Sequence, residues 1–210
     1  QAQGEAERYL RSLEKKYSGL KDYVAEVKVH FDMETFKTPD VEARIYYKAP
    51  DQIKVESKRV LFFPKEGGYF NPSLFKSEEY AAILVGPLTQ NGKNAAKIRL
   101  VSKRPRKTVQ DMTLTLDLEK DRVKEVSILR QGGGEIRAEI TYGTFDRFDL
   151  PTRILLLLDF PAAEPEWKGF TPSPQGAKRV TGRIELTYSS YQINTGLRDE
   201  IFREAATQQP

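Results

Sequence analysis

The sequence predicts an α+β chain: one large curved antiparallel sheet of about eleven strands, with an N-terminal helix and a short mid-chain helix covering its concave face. Three observations predict it. Apolar residues near the start recur every three or four positions, the period of a helix. From Asp22 onward the period is two, and alternate positions are polar, as strands with one wet face require. Successive strand-like stretches are mostly joined by short turns, which favours antiparallel neighbours. With 210 residues, 39% of them apolar and 30% charged, the chain suits one domain over residues 1–210. A chain of this length can bury roughly 70% of its unfolded surface without a metal or disulfide staple.

Taken in order, Ala6, Tyr9, Leu10, Leu13 and Tyr17 form a stripe on a helix over Glu5–Leu20, with Gly19 at its end. Alternation then marks a long strand over 22–33, another over 41–47 and a third over 53–56. Shorter strands are expected at Val60–Phe63 and Tyr69–Phe70, on either side of the turn Pro64-Lys65-Glu66-Gly67-Gly68. Ser77–Val85 contains good helix formers, with Ser77 as N-cap, Glu78 and Glu79 in the first turn and Gly86-Pro87 as the stop. It is therefore read as the mid-chain helix. Strands resume at 97–101, 112–118, 123–129, 136–142, 153–160 and 180–193, with Gln131-Gly132-Gly133-Gly134 as a hairpin connection. A sheet of that many twisted strands tends to curl.

Composition excludes several function classes. There is no cysteine, hence no thiol chemistry, zinc–thiolate site or disulfide framework. A single histidine, His30, rules out a multi-histidine metal site, and its place on the polar face of the first strand reads as exposed. A formal charge of +4 is mild, and no basic stretch is interleaved with aromatics, so nucleic acid is not an expected partner. No run approaches 18 uninterrupted apolar residues, the minimum for a spanning helix. The nucleophile-elbow serine motif, the phosphate-binding glycine loop, the dinucleotide fingerprint and the paired-histidine zinc motif are all missing. The reading is of a non-enzymatic, monomeric chain without cofactor or metal.

The inward positions carry the functional signal. Val27, Val29, Phe31, Ile45, Tyr47, Ile53, Val55, Phe62, Tyr69, Met112, Leu114, Leu116, Ile128, Ile140, Leu156, Ile184 and Leu186 are expected to line one apolar face. Two helices of three or four turns leave much of such a wall to be covered. The sheet then either closes tightly or keeps an apolar groove for a greasy ligand, in which each buried methylene is worth about 0.8 kcal/mol. Tyr80, Ile83 and Leu84 of the mid-chain helix, with Trp167 and Phe170 of the Pro-rich loop 162–176, are the expected lid and rim. Arg153–Phe160 is apolar on both faces, which reads either as a strand covered on both sides or as one lining a cavity. The basic run Ser102–Lys107 reads as a solvated turn or as a contact for anionic lipid head groups.

Laid out in order, the long amphipathic strand, YYKAPDQIKVES, GYFNP, IRLVSKRP, MTLTLDLEKDRVKEVSI and the closing LTYSSYQINTGLRDEIF resemble a known family. The chain looks like the LolA-type periplasmic lipoprotein carriers and the related LolB receptors, over nearly its whole length. That resemblance implies an unclosed half-barrel of eleven strands, its mouth covered by helices and its cavity receiving the acyl chains of lipoproteins or other lipids. It also implies a periplasmic location and inner- or outer-membrane transport partners. The opening Gln1-Ala2-Gln3-Gly4 fits a chain whose targeting segment has been removed, although an arbitrary boundary reads the same way. In the carriers an arginine immediately precedes the proline after the second strand and latches the lid; here Ala49 precedes Pro50, so the latch is not carried over. The resemblance therefore implies a LolA-like binder rather than a strict carrier, or alternatively an envelope sensor module similar to RseB.

Overall fold

Ala6, Leu10, Leu13 and Tyr17 are buried along one side of helix α1 (Ala2–Tyr17), while Arg8, Arg11 and Lys15 on the other side are exposed. The computed structural model describes residues 2–34, 37–59, 70–90, 93–104, 109–130, 132–161 and 179–203. Helix α1 ends three residues before the expected Leu20, because Ser18 and Leu20 turn back onto the carbonyls of Lys15 and Tyr17.

Ten strands follow among the described residues: β1 (Asp22–Met33), β2 (Val41–Lys48), β3 (Gln52–Ser57), β4 (Tyr80–Gln90), β5 (Lys93–Ser102), β6 (Val109–Asp117), β7 (Arg122–Arg130), β8 (Glu135–Phe145), β9 (Phe148–Pro161) and β10 (Arg179–Ile193). They form one antiparallel sheet in the order β3-β2-β1-β10-β9-β8-β7-β6-β5-β4. Strands β3 and β4 are its two unjoined edges, so the half-barrel is open, as expected. The first and last strands, β1 and β10, pair in mid-sheet. A 3₁₀ turn (Pro72–Phe75) precedes β4, and a short helix α2 (Glu200–Arg203) follows β10.

One expectation is overturned. Ser77–Val85 is not a helix: Ser77–Glu79 form a turn, and Tyr80–Gln90 is the edge strand β4, paired with β5. In this stretch Tyr80, Ala82 and Leu84 face the core, whereas Ile83 and Val85 face solvent, a period of two that helix-forming residue types conceal. The pairing with β5 bulges at Val85, Gly86 continues the strand opposite Lys97 rather than stopping a helix, and Pro87 is tolerated on an edge strand. Ser77 hydrogen-bonds Glu14 of α1 through its hydroxyl (2.9 Å) instead of capping a helix. The short mid-chain helix is the 3₁₀ turn, a few residues earlier. Of the two short strands expected before it, residues 60–69 lie outside the described residues, and Phe70 is buried outside any strand.

Gly182 lies inside β10 with φ 147°, opposite Met33 of β1 and Leu158 of β9. A Cβ there would stand 2.7 Å from the carbonyl oxygen of Asp32 and 2.8 Å from Cα of Met33, both backbone atoms that cannot swing aside. Gly182→Val is accordingly expected to cost roughly 2–4 kcal/mol, read as a lowered urea midpoint with unchanged slope.

Candidate functional site

The registers place the inward residues in continuous rows. One row runs Leu84, Ile98, Leu114, Val126, Ala138, Leu156, Ile184, Phe31 from β4 to β1, each residue opposite the next across the ladder. A second runs Ala82, Leu100, Met112, Ile128, Ile136, Leu158, Gly182, Met33. A third runs Ile140, Ile154, Leu186, Val29, Val41. Alternation alone puts these side chains on one face, and strand pairing makes them neighbours.

Of the residues expected to line this face, Val27, Val29, Phe31, Ile45, Tyr47, Met112, Leu114, Leu116, Ile128, Leu156, Ile184 and Leu186 are buried in one cluster with the stripe of α1. Ile53, Val55 and Ile140 are half-buried and pack against it. The wall is shielded from solvent; Leu114, Leu156 and Ile184 each have 0% exposure. Tyr80 and Leu84 are on the inner face of an edge strand rather than on a lid, and Ile83 points outward at 44% exposure. Phe62, Tyr69, Trp167 and Phe170 lie outside the described residues, as do the loop 162–176 and residues 105–107 of the basic run. Lys103 and Arg104 of that run are exposed beyond the end of β5.

The two apolar faces of Arg153–Phe160 separate in the same way. Ile154, Leu156 and Leu158 join the wall, while Leu155 and Leu157 lie half-buried on the outer face opposite Glu139, Glu185, Arg137 and Arg183. Ion pairs run across that outer face. Arg153 pairs with Glu185 (2.9 Å), Arg183 with Asp32 (2.7 Å) and Arg44 with Glu26 (2.6 Å). Hydrogen bonding by Arg153 holds the Glu185 carboxyl below the usual range, but the pair is exposed and worth little. His30 is exposed on this side, 2.6 Å from Asp40.

Helix α1 is fastened over the inner face by polar contacts as well as by its stripe. The Lys16 ammonium donates to the carbonyl of Asp121 (2.7 Å) and to the Asp149 carboxylate (2.9 Å), and Ser12 donates to Asp121 (2.6 Å). The Tyr17 hydroxyl donates to the carbonyl of Asp149 (2.8 Å). At the same end of the sheet, the buried Asp22 accepts backbone N–H bonds from Thr195, Gly196 and Leu197 (2.8–3.2 Å). Lys48 reaches the carbonyl of Leu197 (2.8 Å) and Asp199 (2.6 Å). The lysine beside Ala49-Pro50 thus ties down the segment after β10.

One end of the apolar rows is closed by a cluster of aromatic residues, of which the inward set read from alternation named Tyr47. Tyr23 stacks on Tyr47 (5.1 Å) and meets Tyr191 edge-on (5.6 Å); Tyr191 in turn stacks on Tyr188 and lies 4.6 Å from Phe145. Phe70 meets Tyr17 and Tyr142 edge-on, and the Tyr23 hydroxyl donates to the carbonyl of Phe70 (2.8 Å). Tyr188 and Tyr191 share a face because β10 bulges between its pairings to Val27 and Glu26. The sequence carried that signal as two tyrosines three apart within a strand. Burial raises the hydroxyl pKa of Tyr17, Tyr142, Tyr188 and Tyr191, keeping each a neutral donor. Elsewhere on the inner face Arg130 is buried at 2% exposure, its guanidinium 5.2 Å from the Phe160 ring centre.

Among the described residues no group of three His, Asp or Glu side chains is placed to hold a metal ion, and no helix is long and apolar enough to cross a membrane. The sequence matches no family model and no curated protein. Its fold is similar to that of a domain from Vibrio parahaemolyticus named for outer membrane lipoprotein sorting, with a TM-score of 0.68, 12% identity and coverage of 98% of this chain and 99% of that one. It is also similar to a DUF1329 family protein from Desulfovibrio piger, with a TM-score of 0.67, 10% identity and 99% of each chain covered. A LolA superfamily protein from Nitrosomonas europaea matches with a TM-score of 0.63 and 12% identity, over 94% of this chain and 96% of that one. The open antiparallel half-barrel of this chain is therefore a LolA-like fold.

Proposed function

We propose that this protein is a periplasmic, non-enzymatic binder that holds acyl chains of lipoproteins or other lipids against the inner face of its half-barrel. The observation that carries the reading is the set of apolar rows, two of which cross eight strands without a charged residue. A core needs only to be apolar; a long unbroken stripe also matches an extended hydrocarbon, at about 0.8 kcal/mol per methylene. The LolA-like fold supports the reading, since one similar structure is named for lipoprotein sorting. The wall is shielded in the conformation described, so a chain is admitted only when α1 lifts away. The polar contacts of Lys16, half-buried at the edge of the helix, are the ones such a movement breaks first.

Displacement of a fluorescent fatty acid by a palmitoylated lipopeptide tests this, with saturable binding expected. Val55→Asp, which puts a charge at the half-buried β3 end of the wall, is expected to weaken binding about tenfold or more while shifting the melting temperature by only a few degrees. No saturable binding of either probe would sink the reading. Co-purification from envelope extract then separates roles: lipoproteins indicate transport, whereas an anti-sigma factor indicates a sensor.

A further inference from the structure

Two hydroxyl groups stand out on the inner face. The oxygens of Tyr188 and Tyr142 are both buried from solvent, and neither has a hydrogen-bond partner among the described residues. Tyr188 as a whole is 4% exposed, on β10 opposite Val27, and its pKa is raised by burial alone, with no charged group acting on it. Tyr142 is opposite Pro151 in the β8–β9 ladder. Tyr191 joins the two: its ring lies parallel to that of Tyr188 with centres 5.6 Å apart, and its hydroxyl donates to the Pro151 carbonyl (2.6 Å). Tyr191 therefore has a partner, and its two neighbours do not.

An orphan buried hydroxyl is destabilising, and phenylalanine would fill the same space without that cost. Two buried phenols without a protein acceptor are suited to an acceptor that a ligand brings. We propose that Tyr188 and Tyr142 form a polar anchor for the carbonyl oxygen of a neutral acyl ester, whose chain then runs along the apolar rows. This inference rests on the acyl-binding reading and names the linkage that the site recognises. The environment selects the chemistry. Arg122 stands 5.3 Å from the Tyr142 ring centre, but among the described residues no cation lies against the buried Tyr188, so an ionised carboxylate at Tyr188 would be buried without an adjacent counter-charge. An amide would bring an N–H donor needing its own acceptor in an apolar wall. An ester carbonyl accepts from a phenol and asks for nothing more. The position fits too, since the aromatic cluster closes one end of the rows, and the rows themselves carry no charged side chain.

The test compares monopalmitoylglycerol with the hexadecyl ether of glycerol, which differ at the carbonyl, in wild type, Tyr188→Phe and Tyr142→Phe. Wild type is expected to bind the ester about tenfold more tightly than the ether. Tyr188→Phe is expected to erase that preference, and Tyr142→Phe to reduce it. Without ligand, Tyr188→Phe is expected to melt at or above the wild-type temperature, because it removes an orphan donor. Equal binding of ester and ether by wild type overturns the anchor and leaves the acyl-binding reading standing. So does a lowered melting temperature for Tyr188→Phe with its ester preference intact, which marks a hydroxyl bound within the protein. Failure of wild type to bind either compound overturns both.

Discussion

Leu114→Asp is expected to abolish cooperative folding. Leu114 lies mid-row on β6, between Ile98 and Val126, with 0% exposure. A carboxylate there is buried without a partner or is held neutral at a high price in protonation, and the leucine's packing is lost as well. The expected cost is at least about 4–5 kcal/mol, comparable to the whole stability of a domain near the low end of the ~5–15 kcal/mol range. Far-UV circular dichroism during urea titration reads the result. Val85→Asp is the control: on edge strand β4, with 57% exposure on the outer side, it is expected to change stability by no more than about 0.5 kcal/mol. A Leu114→Asp protein with a wild-type midpoint would mean that the wall is wet at its centre. For that reason half-buried Val55, not Leu114, reports on ligand binding.

Asp22→Ala is expected to release the segment after β10 and to destabilise the fold by about 3 kcal/mol. Its carboxylate is 3% exposed and accepts the backbone N–H groups of Thr195, Gly196 and Leu197. Removing it leaves those donors unpaired, at about 1–3 kcal/mol for each that water does not reach. The neighbouring Asn194, at φ 54°, hydrogen-bonds the backbone of Lys21 and Gly19, so the loss spreads to the α1–β1 turn. Amide hydrogen exchange over residues 194–203 is expected to accelerate in Asp22→Ala well before exchange in β9, whereas Asp199→Ala, which removes only an exposed partner of Lys48, is expected to accelerate it slightly. Uniform exchange across both segments would mean that Asp22 does not act through that loop.

The strands with one wet face were legible because a period of two can be read locally. In β1 and β2, buried and exposed positions alternate along the sequence pattern, and β7 to β10 begin and end near the expected bounds apart from the earlier start of β9. Pro151 hides that start: a residue without an N–H looks like a break, yet it is accepted in β9 beside the irregular pairing of Thr141 and Tyr142. Ser77–Val85 failed for the opposite reason. Glutamate, alanine and leucine favour a helix on their own, and only the free edge of β5 turns Tyr80–Gln90 into a strand.

By itself the sequence determined which residues of β1, β2 and β6 to β10 alternate inward as apolar side chains, and that no thiol or multi-histidine chemistry is available. Alternation and composition are local properties, and burial enforces them residue by residue. Only the tertiary structure decided which inward residues lie beside one another, how α1 is fastened across them, and that Tyr188 and Tyr142 bring unmatched hydroxyls into the wall. Those facts depend on strand register and on a bulge between residues far apart in the chain, and pairing across such distances leaves no mark on either strand alone.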